Sequence, residues 1–176
     1  MLLMSSSLYN QSVLSVRDGH PIAKAIEPII DPNNLKIVGW WCEGAGGRTV
    51  LLAEDIREKM PQGLVVNETS ALTHPEDLVR HQEILKINFT LKDKPVKTKR
   101  QKLGRVRDYC YNEGLFVQKL YIERSLLKVL GSDTLIIDRQ QIIEITDKFI
   151  LVNDSDVKET ETELEEAPAI EAAPAS

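Results

Sequence analysis

The sequence predicts an all-β protein: two tandem small β-barrels joined by a short helix and followed by a disordered acidic tail. Three observations predict it. Short apolar runs alternate with turn chemistry such as Asp18-Gly19, Asn33-Asn34 and Asn112-Glu113-Gly114, the signature of many short strands rather than a helical array. The stretch Lys94 to Val106, KPVKTKRQKLGRV, has a weaker echo at His20 to Ile30, HPIAKAIEPII, so one β-unit is written twice. Beyond Val152, Glu, Thr, Ala and Pro take over, a composition with too little apolar surface to offset the entropy of ordering. The expected boundaries are a first unit over 8–72, a linker helix over 73–86, a second unit over 87–153 and the tail over 154–176.

Each element has a local reason. Met1 to Tyr9 reads as a frayed lead-in. Strands are expected from Asn10 to Val16 and, after an Asp-Gly turn, from Ile22 to Ile30, where Pro28 implies an edge or a bulge. Leu35 to Cys42 and Arg48 to Leu52 flank the turn Gly44 to Gly47, Ala53 to Lys59 gives one helical turn, and Leu64 to Asn67 closes the unit. Thr73 as a cap, Pro75 in the first turn and Glu76 and Asp77 after it start a helix. Its apolar side is Leu78, Val79, Ile84 and Leu85, so it should pack on a barrel. In the second unit Leu103 to Val106 aligns with Ile22 to Ala25, and Leu115 to Ile122 with Leu35 to Cys42. Thr134 to Ile137 aligns with Thr49 to Leu52, and Ile150 to Asn153 with Leu64 to Asn67. Ser125 to Ser132 takes the place of the Gly-rich turn.

Charge separates the two units. Phe89 to Asn153 carries thirteen bases against eight acids, Met1 to Thr73 six against eight, and Asp154 to Ser176 eight acids against Lys158 alone. The net charge of −5 therefore hides a basic second unit. Cys42 and Cys110 are too few and too far apart for a disulfide framework or a structural zinc site, and they read as reduced strand residues. No apolar run reaches the roughly 18–20 residues of a membrane span, and the start lacks the basic n-region of a signal peptide. The expectation is a cytoplasmic protein.

Lys94-Pro95-Val96 with Lys102-Leu103-Gly104-Arg105-Val106-Arg107-Asp108 resembles the opening strands of PRC-barrel domains. His20-Pro21-Ile22, Ile29-Ile30-Asp31-Pro32 and Leu35 to Gly39 resemble the same family, so the likeness covers Asn10 to Val152 as two copies. The resemblance implies a docking role rather than catalysis, as in the cytoplasmic H subunit of photosynthetic reaction centres and the C-terminal half of a ribosome maturation factor. The glycine-rich opening of that factor and the membrane anchor of that subunit are both absent here. No functional residue transfers one by one.

The strongest local feature is basic. Lys92, Lys94, Lys97, Lys99, Arg100, Lys102, Arg105 and Arg107 meet only Asp93 in opposition. Such a cluster suits an acidic protein surface, the phosphates of RNA or a ribosome, anionic lipid at a membrane surface, or the chain's own acidic tail. Its bland reading is a solvated hairpin whose lysines guard a sheet edge. No aromatic stands between Phe89 and Tyr109, which disfavours base stacking. Trp40 and Trp41 must point to opposite faces of one strand, and the alternation leaves open which one enters the core. Trp41 and its repeat partner Tyr121 are the apolar interface candidates, against an intramolecular seam. His74 and His81 lack further ligands at zinc spacing, and no Ser or Cys has a base beside it. No catalytic residue, metal or cofactor is expected. The chain reads as a non-catalytic adaptor that binds a protein partner, the alternative being an RNA- or ribosome-associated factor.

Overall fold

The computed structural model describes residues 1–124 and 134–153. The expected tail and the Ser125–Ser132 loop therefore lie outside the described residues. The chain is β-rich, with a sheet curled into a half-barrel and one short helix. The strands are β1 (Leu2–Met4), β2 (Gln11–Ser15), β3 (Pro21–Asp31), β4 (Lys36–Gly44), β5 (Gly47–Leu52), β6 (Glu58–Met60), β7 (Gly63–Val66) and β8 (Leu72–Thr73). They are followed by α1 (Gln82–Ile87), β9 (Pro95–Lys97), β10 (Lys102–Asn112), β11 (Val117–Glu123), β12 (Thr134–Asp138), β13 (Ile142–Ile145) and β14 (Ile150–Val152).

Two sheets carry one topology. The first runs β6-β7-β2-β3-β4-β5-β8 and the second β13-β14-β9-β10-β11-β12, with β1 added beside β10. In each, the opening strand pairs antiparallel with the long second strand and parallel with the last strand of the unit. The long strands are kinked at matching places. Register shifts fall at Ala25/Glu27 and Ile29/Ile30 in β3, and at Val106/Asp108 and Cys110/Tyr111 in β10. Such bulges bend a strand and raise its twist, which is how an 11-residue strand wraps a small core. Gly104, at φ 147°, makes the wrap possible: a Cβ there would sit 2.1 Å from the Glu123 carbonyl oxygen.

The repeat alignment holds along β3/β10 and β4/β11. Ala25 faces Cys42 as Val106 faces Ile122, and Trp40 occupies the place of Leu120. On β5 and β12 it shifts by one residue: Thr49 opposes Cys42, whereas Leu135 opposes Ile122. Thr49 thus corresponds to Leu135 rather than Thr134, because the cross-strand register, not the Thr match, decides which side chains face inward.

The units clasp each other at their second turns. Ile37 N–H donates to the Leu115 carbonyl at 2.8 Å, and Val117 N–H donates to the Leu35 carbonyl at 3.0 Å. Leu35 and Leu115 both adopt positive φ, 56° and 64°, and both are buried. One continuous apolar cluster runs from Val13, Ile37, Trp40 and Leu51 to Val106, Leu120, Ile137 and Ile150. The inter-unit seam is therefore core.

Three segments differ from expectation. The helical turn expected over Ala53 to Lys59 is a 3-10 turn only at Ala53–Asp55, and Glu58–Met60 is strand β6, because those residues pair with β7. The lead-in is not frayed: β1 pairs with Cys110–Asn112 of β10, the stretch of that strand which short β9 does not reach. The 3-10 turn Ser5–Leu8 then drops Leu8 into the core, where the Trp40 indole N–H donates to its carbonyl at 2.9 Å. The continuous helix expected over 73–86 is two 3-10 turns, Pro75–Asp77 and Val79–His81, and then α1. Leu78, Ile84 and Leu85 do pack on the first sheet, but Val79 points to solvent.

Candidate binding site

The β9–β10 turn is built around Thr98. Its N–H donates to the Gln101 carbonyl at 2.9 Å, and its hydroxyl accepts from the amides of Arg100 and Gln101 at 3.2 and 3.1 Å. This side-chain-to-backbone turn buries Thr98 and leaves Lys99 and Arg100 exposed at the tip. The β13–β14 turn repeats the device: the Thr146 hydroxyl accepts from the amides of Lys148 and Phe149 at 3.2 and 3.0 Å. Phe149 then reaches under the basic turn, where the Lys97 ammonium stands 3.7 Å from its ring centroid, a cation–π contact.

Between the two lies an open groove of about 390 Å³, lined by Lys97, Lys99, Arg100, Lys102, Phe149 and Leu151. It is a concave cationic site with an apolar floor. Two fixed hydroxyl-braced turns position its walls.

The other cations of the run are occupied by the fold. Lys94 is buried, donates to the Asp147 carbonyl at 2.7 Å and stands over Phe89. Burial holds its ammonium below the ordinary value, with Asp147 opposing that shift. Arg105 donates to the Asp93 carbonyl at 2.7 Å, and Arg107 to Glu123 at 3.0 Å. Lys92 lies 3.9 Å from Asp108 and over the Tyr9 ring. Of the eight cations, then, the structure gathers Lys97, Lys99, Arg100 and Lys102 at the groove and engages the others elsewhere in the fold.

The equivalent turn of the first unit makes the contrast. There Arg17 is paired with Glu68 at 2.6 Å, and Asp18 accepts from the hydroxyls of Ser15 and Thr69. Those two bonds hold the Asp18 carboxyl below its usual range. The same position in the same topology closes on an Arg17–Glu68 pair in one unit and gathers Lys97, Lys99, Arg100 and Lys102 around a groove in the other.

The aromatic candidates separate. Trp40 is buried in the core. Trp41 is half-buried on the opposite face, with the Arg48 guanidinium 4.1 Å over its ring, and like Leu78, Ile84 and Leu85 it packs against the small cluster of Ile29, Val50 and Leu52. Tyr121 occupies the matching place on β11, opposite Ile136. Sequence reasoning missed the tyrosine cluster beneath the N-terminal segment. The Tyr9 and Tyr109 hydroxyls lie 3.4 Å apart, and Tyr111 meets the Ser7 hydroxyl at 2.8 Å. Burial pushes the hydroxyl of Tyr109 far up, with Tyr9 adding to the shift. The missing signal was the pairing of β1 with β10, a contact across more than a hundred residues.

No family model and no curated protein matches the chain. Among the described residues no helix is long and apolar enough to cross a membrane, and no group of three or more His, Cys, Asp or Glu is placed to hold a metal ion.

Proposed function

We propose that this chain is a non-catalytic docking protein of two tandem PRC-type barrels, and that the basic turn of the second unit receives an acidic segment of a cytoplasmic protein partner. The carrying observation is the contrast between equivalent turns. Topology demands a turn at both places, but it demands no charge at either. The Arg17–Glu68 turn closes the same ladder without a cluster of cations, whereas Lys99 and Lys102 stand exposed beside the groove of the second unit.

An acidic peptide suits the groove better than a nucleic-acid strand. Tracking a phosphate backbone takes cations spread along a groove. Here Lys94, Arg105 and Arg107 are engaged by backbone carbonyls or Glu123, and Lys92 stands by Asp108, so the charge facing the groove is one compact cluster with Lys99 and Lys102 exposed at its rim. Its one aromatic, Phe149, is covered by Lys97. Carboxylates would meet Lys99 and Lys102 at the rim while a neighbouring apolar residue settles towards Phe149 and Leu151.

The test is a titration of the full chain with a fluorescent Glu- and Asp-rich peptide and, separately, with a single-stranded RNA oligomer, at low and high salt. At low salt the peptide should bind, and the double variant K99E/K102E should weaken it by about tenfold or more, at roughly 0.5–1 kcal/mol per exposed charge contact removed. Peptide affinity that ignores the charge reversal refutes the proposal, as does RNA affinity that exceeds peptide affinity and falls with the reversal.

A further inference from the structure

Among the described residues Lys94 is the one buried cation, 9% exposed, and it does not line the groove. Its carbonyl accepts from the Val106 amide at 3.0 Å, which fixes its main chain in the second sheet. Its ammonium lies 4.6 Å from the Phe89 ring centroid and donates to the Asp147 carbonyl at 2.7 Å, across 53 residues of sequence. An ammonium withdrawn from water is costly unless its donors are used. A methionine of nearly the same length would fill the place without that cost. What the ammonium adds over an apolar side chain is the bond to Asp147.

That bond joins the two walls of the groove. Asp147 belongs to the turn that carries Phe149, whose own bonds are local: the Thr146 N–H and hydroxyl donate to the Phe149 carbonyl at 2.9 and 3.0 Å. The amides of Lys148 and Phe149 return to the Thr146 hydroxyl. These bonds shape the turn but do not fix where it stands. The parallel pairs Val96–Ile150 and Lys97–Leu151 hold β14 beside β9, and Phe149 lies one residue outside them. Lys94 precedes β9, which leads into the basic turn, so its bond sets the Phe149 turn against the strand that carries Lys97.

The first unit supplies the control. Val13 pairs with Leu64 as Val96 pairs with Ile150, so Gln11 stands in the place of Lys94 and Gly63 in the place of Phe149. The Gln11 amide donates only to the nearby Tyr9 carbonyl, at 3.4 Å. A Cβ at Gly63 would stand 2.1 Å from the Ser12 carbonyl oxygen. The unit with no side chain to position has no long-range bond to position it.

We infer that Lys94 is the positioning residue of the groove, holding Phe149 against Lys97 so that the floor fits a large apolar side chain set beside the partner's acids. The inference rests on the docking reading above and adds a selectivity to it. Acids alone meet Lys99 and Lys102, whereas an acidic segment carrying a leucine also uses the floor that Lys94 holds.

The experiment compares the native full chain, K94M, K94Q and K99E/K102E. Gln is one bond too short to reach Asp147, and the first unit accommodates it at this place, so K94Q answers the same question should K94M fail to fold. Two fluorescent peptides of equal length are titrated, one all Glu and Asp, the other with one central Leu. The native chain should prefer the leucine peptide by about fivefold or more, and K94M and K94Q should bring the preference to within about twofold. Loss of a positive charge weakens both peptides alike, so the ratio reads the floor. Amide hydrogen exchange at Lys148 and Phe149 should rise by on the order of tenfold in K94M, with Arg100 and Gln101 unchanged as the internal control. A preference that survives both substitutions overturns the inference, as does exchange that stays at the native rate or rises equally in both turns. Equal native affinity for the two peptides, with K99E/K102E weakening both, overturns the inference and leaves the docking reading standing. If the native chain binds neither peptide the docking reading fails, and exchange alone decides whether Lys94 holds the turn: a rise confined to Lys148 and Phe149 supports that role, and unchanged rates overturn it.

Discussion

Replacing Gly104 by alanine tests the account of how β10 wraps. The added Cβ would lie 2.1 Å from the Glu123 carbonyl oxygen, 2.9 Å from its carbon and 3.1 Å from the Arg124 Cα. All three are backbone atoms of Glu123 at the end of β11 and of the residue after it, so no side-chain rotation relieves the contact. The strands must separate by about an ångström at a place where ladder hydrogen bonds fix their spacing near 4.8 Å. The backbone conformation, φ 147°, adds its own cost for a residue with a Cβ. Strain of about 1–3 kcal/mol for the conformation and about 1–3 kcal/mol for overpacking gives a loss of roughly 2–6 kcal/mol. At about 2–4 °C per kcal/mol for a chain of this size, the melting temperature should fall by roughly 4–24 °C. Thermal unfolding followed by circular dichroism measures it, with Gly46→Ala as control, because a Cβ at Gly46 meets nothing within 4 Å. If Gly104→Ala and Gly46→Ala melt within about 1 °C of each other, on a scale where 1 kcal/mol moves the midpoint 2–4 °C, the strand does not bend where we place the bend.

Two further predictions concern the N-terminal segment. Trp40→Phe keeps an aromatic in the core but leaves the Leu8 carbonyl without its 2.9 Å donor. The orphaned acceptor and the smaller ring together should cost about 2–4 kcal/mol in urea unfolding; a loss below about 1 kcal/mol, the net worth of an ordinary hydrogen bond, would mean the segment is not anchored there. Tyr9 and Tyr109 both have hydroxyls raised above the ordinary 10.0 by burial. Raised folded values mean that their contribution is fully present below pH 10.0 and is lost as pH climbs through the folded values. Urea midpoints of the native chain should therefore fall above that pH more steeply than those of Tyr109→Phe, and parallel curves would show that Tyr109 ionises as freely folded as unfolded.

Much of the fold was legible because β-structure writes itself locally. Turn residues at Asp18-Gly19, Asn33-Asn34 and Asn112-Glu113-Gly114 marked the reversals. Pro28 marked a strand that the structure shows to be bulged on both sides of it. Cross-strand register is not local, which is why Thr134 was matched to Thr49 and the true partner was Leu135. The same limit hid β1. Nothing within Leu2–Met4 announces a strand; its reason lies at the far end of β10, which β9 does not reach and where Cys110–Asn112 pair with β1. For the site, the cluster of cations was visible, but its division was not. Only geometry shows that Lys94 is buried on Asp147 and that Arg105 and Arg107 are engaged, leaving the groove to Lys97–Lys102. Trp41 and Tyr121 were paired correctly as repeat equivalents, yet the sequence could not show that α1 packs against one of them.

The clasp between the units decides whether they act as one body. Leu35 and Leu115 accept a left-handed conformation that costs about 1–2 kcal/mol each for a residue with a Cβ. A chain selected for turn geometry alone would place glycine there. Leucine persists because both side chains are buried and belong to the apolar cluster that spans the units, a burial worth about 1.5–3 kcal/mol each. Burial outweighs strain only while the partner unit is in place, so neither unit should unfold alone. Both tryptophans lie in the first unit, and Trp41 packs on its outer cluster away from the seam, so their fluorescence reports mainly on the first unit. Ile137→Ala, at a fully buried site of the second unit, should cost about 2–5 kcal/mol. If the clasp couples the units, tryptophan fluorescence and far-UV circular dichroism should lose the same amount along one urea transition. A fluorescence midpoint that stays at its native value while the dichroism midpoint falls would show two independent bodies.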